Sequence, residues 1–104
     1  MQRSTPSMAD AGDIHLADVG GGLRRRVLVV STGRFHRAAE RALVAPAVTV
    51  PADEPQPPWR IAVGADIFAL DALRAVDLGQ LLEPVGHADR DACERVRRAL
   101  RAIT

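Results

Sequence analysis

Apolar residues in this chain come in short runs separated by glycine, proline and charged residues, a pattern typical of a protein built from short strands. The run at 26–31 is continuously apolar from residue 27 to residue 30, which predicts a strand buried on both faces. Between the second and third runs, residues 33–43 are rich in Ala, Arg and Glu and predict a helix of two or three turns. Pro46 restricts its strand to a sheet edge or a bulge. The predicted strands cover residues 14–19, 26–31, 43–50, 59–63, 67–76 and 80–86.

The C-terminus carries the clearest helix pattern. Asp89 is a good N-cap, acidic residues follow it in the first turns, and arginines cluster toward the end, as the helix dipole favours. Spacings of three and four residues predict one apolar stripe, formed by Cys93, Val96, Leu100 and Ile103. On that stripe Cys93 is a core thiol rather than a nucleophile. The fold predicted is mainly β with α: a small, strongly curved barrel or sheet covered on one side by this helix.

Length and composition predict one domain over residues 12–104, preceded by a disordered N-terminal leader at 1–11. The single cysteine excludes an internal disulfide, and the three separated histidines give no metal-ligand spacing, so we expect no metal and no cofactor. No apolar run is long enough for a membrane span, and the N-terminus lacks the apolar core of a signal peptide. These features predict a protein of the reducing cytoplasm.

Charge is concentrated in one part of the chain. The whole molecule has a formal charge of only +1, but residues 19–50 hold six arginines against one acid, a local balance of +5. Three of these arginines, Arg24, Arg25 and Arg26, follow the glycines 20–22 after one leucine. Glycines let a backbone approach a ligand and guanidinium groups bind phosphate through paired hydrogen bonds, so the segment suits a phosphodiester. The alternative is a hairpin loop with solvated charge.

Beyond these patterns, the chain resembles the MazF/PemK toxins of bacterial toxin–antitoxin systems, which share a compact SH3-like barrel with the CcdB toxins. The resemblance runs from Gly12 to Ile103. Its matching pieces are Gly12-Asp13-Ile14, Asp18, Arg25, Val27 to Ser31, Phe35, Val44-Ala45-Pro46, Asp71, Arg74, Val76, Asp77, Gly86, Asp89 and the arginine-rich terminal helix.

The resemblance implies an mRNA interferase, a homodimeric and metal-independent endoribonuclease that cuts single-stranded RNA and is held inactive by an acidic antitoxin. The implied reaction is attack of a ribose 2′-hydroxyl on the adjacent phosphorus. Arg25 falls on the family's catalytic arginine. The family's threonine falls on Val48, and Thr49 is one place later, so a bulge would be needed to bring Thr49 to the site.

Five further side chains are candidates for RNA chemistry: one histidine as an acid or base, and four residues that would bind RNA. His36 is a candidate acid or base, since imidazole titrates near neutral pH, and the alternative is a solvated histidine on a polar helix. His15 stands at a usual Trp/Tyr position of the family and is expected to be packed rather than catalytic. The expected RNA-binding residues are Arg24, Arg26, Ser31 and Arg34.

Two non-enzymatic readings stay open. In one, the barrel has lost catalysis and acts by binding RNA or, as in the CcdB branch, DNA gyrase; in the other it is an interaction domain without toxicity. The terminal residues 102–104 lack the tryptophan-containing tail that CcdB toxins present to gyrase, which argues against the gyrase branch.

Overall fold

The structure is a computed structural model that describes residues 9–51 and 53–104. Within these residues the chain forms seven strands and two α-helices, joined by short loops and two single 3-10 turns. The strands are β1 (Asp13–Asp18), β2 (Arg24–Val29), β3 (Arg41–Val48), β4 (Arg60–Val63), β5 (Asp66–Ala69), β6 (Arg74–Asp77) and β7 (Leu81–His87). The helices are α1 (Gly33–Ala39) and α2 (Arg90–Ile103). This content confirms the prediction of a mainly β protein with a C-terminal helix.

All strand pairs are antiparallel, and the strands follow the order β4-β5-β3-β2-β1-β7, with β6 also paired to β3. The sheet curls into a half-barrel. Strand β3 is shared by two parts of the sheet, because it pairs with β6 along residues 41–44 and with β5 at residues 47 and 48. Three partners therefore meet around one strand, and this meeting point shapes the groove described below.

Pro46 does not lie in an edge strand or at a bulge, so that expectation was wrong. Strand β3 is central, and its pairs with β2, β5 and β6 advance one residue at a time without a register shift. On one side of β3, Pro46 stands opposite Val27 of β2. On the other side, Pro46 lies between Val44, where pairing with β6 ends, and Ala47, where pairing with β5 begins. A proline, which lacks an amide proton, is tolerated at such a break between partners.

Two other elements differ from the sequence pattern. Helix α1 ends at Ala39 because Glu40 adopts a left-handed conformation, with φ of 56°, and its amide donates to the His36 carbonyl. The chain then turns into β3 two residues earlier than predicted. The predicted strand 67–76 is broken by a 3-10 turn at Leu70–Ala72 into β5 and β6. Both departures come from turns whose residues carry no strong glycine or proline signal.

Apolar side chains form two clusters, one for each face of the sheet. The larger one packs helix α2 against the sheet through Ala92, Val96 and Ala99, with Phe68 and Leu28 fully buried beneath them. Asp89 caps α2 by accepting a hydrogen bond from the Ala92 amide at 2.8 Å. Cys93 packs partly against this cluster, as expected of a core thiol, whereas the predicted stripe residue Ile103 stays exposed. No helix in the described ranges has the length and apolar character to cross a membrane.

Part of the predicted leader belongs to the packed fold. Residues 1–8 lie outside the described residues, but Ala9 is buried and Asp10 accepts hydrogen bonds from the amides of Ala11 and Gly33, each at 2.9 Å. These amide donors lower the pKa of Asp10, because they stabilise its charged form. The segment 9–11 is thereby fastened to the first turn of α1, so disorder was the wrong expectation for these three residues.

His15 is buried, as expected, and gives a pH prediction. It is 3% exposed, its Nδ1 has no hydrogen-bond partner within the described residues, and desolvation lowers its pKa. As pH falls below about 6.5, the unfolded chain takes up this proton before the folded protein does. We expect the free energy of unfolding to fall below that pH by up to about 1.4 kcal/mol per pH unit.

Urea unfolding at pH 7.5, 6.5 and 5.5 measures this effect. His15→Phe should flatten the dependence, and His87→Gln, which removes the 2.8 Å contact of the exposed His87 with Asp13, measures how much of the dependence comes from that contact. An unchanged pH dependence in His15→Phe would show that another group is responsible.

Candidate active site

A groove of about 480 Å³ opens where the start of β2, the end of β3 and the β4–β5 turn face one another. Arg24, Arg25 and Arg26 line one wall, residues 47–50 line the second, and residues 65–67 line the third. Strand β2 pairs with β3 only at residues 27–29, so its first three residues are left without β3 partners beside this opening. Because Arg24, Arg25 and Arg26 are consecutive in the sequence, the start of one strand places three guanidinium groups at the mouth of this groove.

The three arginines do not have the same surroundings. Arg26 forms an ion pair with Asp66 across the groove, Nη1 to Oδ2 at 3.3 Å, and its side chain is half exposed. Arg24 and Arg25 are exposed, and no carboxylate of the described residues lies within ion-pair distance of either. Their positive charge is therefore available to an anion in the groove, while that of Arg26 is partly neutralised.

Thr49 lines the same groove without a bulge. The pairing of β3 with β2 ends at the pair Val27–Pro46 and β3 itself ends at Val48, so Thr49 lies just beyond the strand. The expectation that only a bulge could bring Thr49 to the site was wrong, because the groove collects residues from both faces where β2 and β3 cease to pair.

His36 is not a solvated residue of a polar helix, so that reading was wrong. It is 1% exposed, its Nδ1 donates to the Ala9 carbonyl at 2.9 Å, and its Nε2 contacts Ser31 Oγ at 2.6 Å. Because a carbonyl only accepts, Nδ1 carries the proton, and in the neutral ring Nε2 accepts from the Ser31 hydroxyl. Ser31 Oγ in turn accepts from the Leu43 amide at 2.9 Å. The ring is thus the middle of a buried hydrogen-bond chain.

With this geometry in view, comparison with known protein families gives a match over residues 10–104 to the family described as the PemK-like, MazF-like toxin of type II toxin–antitoxin systems. The match covers almost the whole chain. The chain belongs to this family. Sequence comparison with curated proteins gave no significant match.

Solved structures of MazF toxins share the fold. A MazE–MazF complex from Deinococcus radiodurans superposes with a TM-score of 0.76 at 21% identity, covering 94% of this chain and 96% of that one. An endoribonuclease in complex with its cognate antitoxin, from a mycobacterial species, gives 0.75 at 17% identity, covering 93% of each chain. The toxin MazF-mt6 from Mycobacterium tuberculosis gives 0.71 at 16% identity, covering 86% and 93%. The predicted barrel class with its terminal helix is confirmed.

Within this MazF-like fold, the remaining candidate residues lie outside the groove. Ser31 is 9% exposed and engaged with His36 and Leu43, and Arg34 is an exposed residue of α1. The structure therefore brings together Arg24, Arg25, Arg26 and Thr49, and it separates them from His36, Ser31 and Arg34. RNA contacts by Ser31 and Arg34 stay predictions, with no support from the groove geometry.

The three consecutive glycines of this MazF-like chain form the turn between β1 and β2 and do not line the groove. Gly20, Gly21 and Gly22 have φ of 110°, 63° and 77°, conformations that other residues rarely adopt, and open space surrounds each of them. The turn is closed by hydrogen bonds between Val19 and Leu23 and between Leu23 and Gly20. The run of glycines therefore reverses the chain between β1 and β2, and so sets where the arginines begin.

Sequence reasoning missed Asp66. The stretch Gly64-Ala65-Asp66 is recognisable as a turn, but nothing local in the sequence indicates that its carboxylate reaches an arginine 40 residues earlier. Only the pairing of β5 with β3 brings the turn to the groove. The only sequence signal for this contact is weak: the chain has an arginine cluster with few nearby acids, and Asp66 is a turn carboxylate that could pair with it.

Proposed function

We propose that this protein is an mRNA interferase, an endoribonuclease that cleaves single-stranded RNA without a metal ion. The observation that carries the proposal is the groove in which Arg24, Arg25 and Thr49 converge with no carboxylate paired to either arginine among the described residues. Family membership supports the same reading, as does the fold shared with a mycobacterial protein described as an endoribonuclease.

In the proposed reaction a ribose 2′-hydroxyl loses its proton and attacks the adjacent phosphorus, and the bond to the 5′-oxygen of the next nucleotide breaks as that oxygen takes up a proton. The products are a cyclic phosphate and a 5′-hydroxyl. Negative charge builds up on the phosphoryl oxygens in the transition state, and Arg25 supplies oriented positive charge and hydrogen bonds to them. Thr49 offers a hydroxyl to the same group. His36 takes no part in proton transfer, because its ring is buried and both nitrogens are bonded.

Two partners belong to the proposal. An acidic antitoxin segment would occupy the arginine-lined groove, since a surface that attracts phosphate also attracts Asp and Glu. Four of the solved structures that share the fold are complexes with an antitoxin. A second copy of the chain would form a homodimer, and Leu82 and Val85 of β7, 39% and 41% exposed, leave apolar surface for such contacts.

Incubation of purified protein with a long single-stranded RNA in EDTA tests the proposal. We expect discrete fragments that end in a cyclic phosphate and begin with a 5′-hydroxyl, detected by phosphatase and kinase treatment before sequencing. Catalysis by a bound metal ion would be inhibited by EDTA. Intact RNA at all protein concentrations, together with RNA binding, would instead favour the non-catalytic binding protein.

A further inference from the structure

A second pocket, of about 440 Å³, lies where the proline-rich loop and β4 meet the side of helix α2 that carries Arg95, Arg98 and Ala99. Three arginines line it, together with a glutamine and two prolines: Arg60, Arg95, Arg98, Gln56, Pro57 and Pro58. No residue of this pocket lines the arginine groove. The chain therefore holds two separate concentrations of guanidinium groups.

The positive charge of this pocket is only partly neutralised. Arg60 is bound to Asp71 through two hydrogen bonds of 3.3 Å, and Arg95 pairs with Asp91 at 3.1 Å. Arg98 is exposed, and no carboxylate of the described residues lies within ion-pair distance of it. Arg98 is thus the pocket's cation that remains free to bind an anion.

Gln56, which lines this pocket, also carries an unsatisfied acceptor. Its Nε2 donates to the Glu54 carbonyl at 3.0 Å, but its Oε1 is buried and has no hydrogen-bond partner within the described part of the chain. A buried acceptor without a partner is costly, so this atom favours a ligand that brings an N–H or O–H group. The planar guanidinium groups of the pocket suit stacking with a planar ring.

The pocket and the groove lie toward opposite ends of the β4–β5 hairpin. Arg60, at the start of β4, lines the pocket, and Asp66, beyond the turn, lines the groove. Arg60 and Val63 are three strand residues apart, about 10 Å. Arg95 of the pocket also contacts β4 closer to the turn, since its Nη2 donates to the Ala62 carbonyl at 3.3 Å. An extended polymeric ligand of a few units can therefore reach from one site to the other.

We infer that this pocket binds one unpaired nucleotide of the RNA strand that passes through the groove. Arg98 contacts its phosphate, its base stacks in the pocket, and Gln56 Oε1 accepts a hydrogen bond from the base edge. The inference rests on the proposed RNA cleavage for the identity of the strand. A nucleotide fits this lining better than an acidic peptide, because a carboxylate side chain offers no planar ring for the guanidinium groups to stack on.

Binding of a labelled 12-nucleotide 2′-O-methyl RNA, which lacks the nucleophilic hydroxyl, tests the inference by fluorescence anisotropy. Arg98→Ala should weaken binding about tenfold and lower the slope of log affinity against log salt by about 0.7, the loss of one phosphate contact. Gln56→Leu should also weaken binding, because it removes the acceptor for the base edge. Arg101→Ala, at an exposed arginine of the same helix outside the pocket, should change affinity less than twofold.

A trinucleotide that fills only the groove should bind Arg98→Ala as well as wild type. Equal effects of Arg98→Ala and Arg101→Ala on the 12-nucleotide RNA would overturn the inference, as would an Arg98 effect seen with a polyglutamate peptide but not with RNA. The assay needs no cleavage. An Arg98-specific effect without RNA cleavage by the wild type would remove only the proposed function, and cleavage without that effect would remove only the pocket.

Discussion

Replacing Arg25 with alanine is expected to lower the rate of RNA cleavage at least about 100-fold while leaving the thermal unfolding curve unchanged. Arg25 is exposed, lines the groove and has no carboxylate partner among the described residues, so its removal costs little packing. Loss of one oriented donor to a developing oxyanion typically costs about 10²- to 10³-fold. Single-turnover cleavage of a labelled RNA, with the unfolding temperature measured on the same sample, checks both parts.

Companion variants sharpen this test. Arg25→Lys should restore only part of the activity, because lysine keeps the charge but lacks the planar fork of donors. Arg26→Ala should cost less than Arg25→Ala, since Asp66 already neutralises part of the Arg26 charge. Arg90→Ala, at an exposed position of α2 outside the groove, is the control. Cleavage by Arg25→Ala at the wild-type rate would assign the chemistry to another residue.

Replacing His36 with alanine is expected to destabilise the protein by about 2 to 4 kcal/mol, with cleavage per folded molecule unchanged within about twofold. The change empties a fully buried site and removes the partner of the Ala9 carbonyl and of the Ser31 hydroxyl. Urea unfolding at pH 7.5 measures the loss of stability. RNA cleavage at a temperature where both proteins are folded measures activity.

Phe35→Ala is the matched control for this variant. Phe35 is the preceding residue of α1 but is 40% exposed, so its truncation should cost clearly less stability than that of His36. A His36→Ala protein as stable as wild type but inactive would reverse the assignment and return His36 to catalysis.

Local pattern was sufficient for much of the fold. The order of strands and helices, the cap at Asp89 and the placement of α2 against the sheet follow from alternation, helical spacing and capping, which involve residues close in sequence. The same information could not show that Glu40 would end α1 in a left-handed turn, or that a 3-10 turn would separate β5 from β6. Those breaks depend on how each segment meets the rest of the sheet.

The sequence by itself determined that arginines 24–26 would stand together at the start of a strand, and the residues quoted from Gly12 to Ile103 were enough to indicate the family. Tertiary structure decided the rest of the site. Antiparallel pairing brings Asp66 to Arg26 and Thr49 to the groove, and the packing of residues 9–11 against α1 buries His36 against Ala9. The physical reason is that periodicity reports which face a residue takes within its own element. Charge partners, buried acceptors and grooves arise between elements far apart in the chain, where only the register of the folded sheet sets the distances.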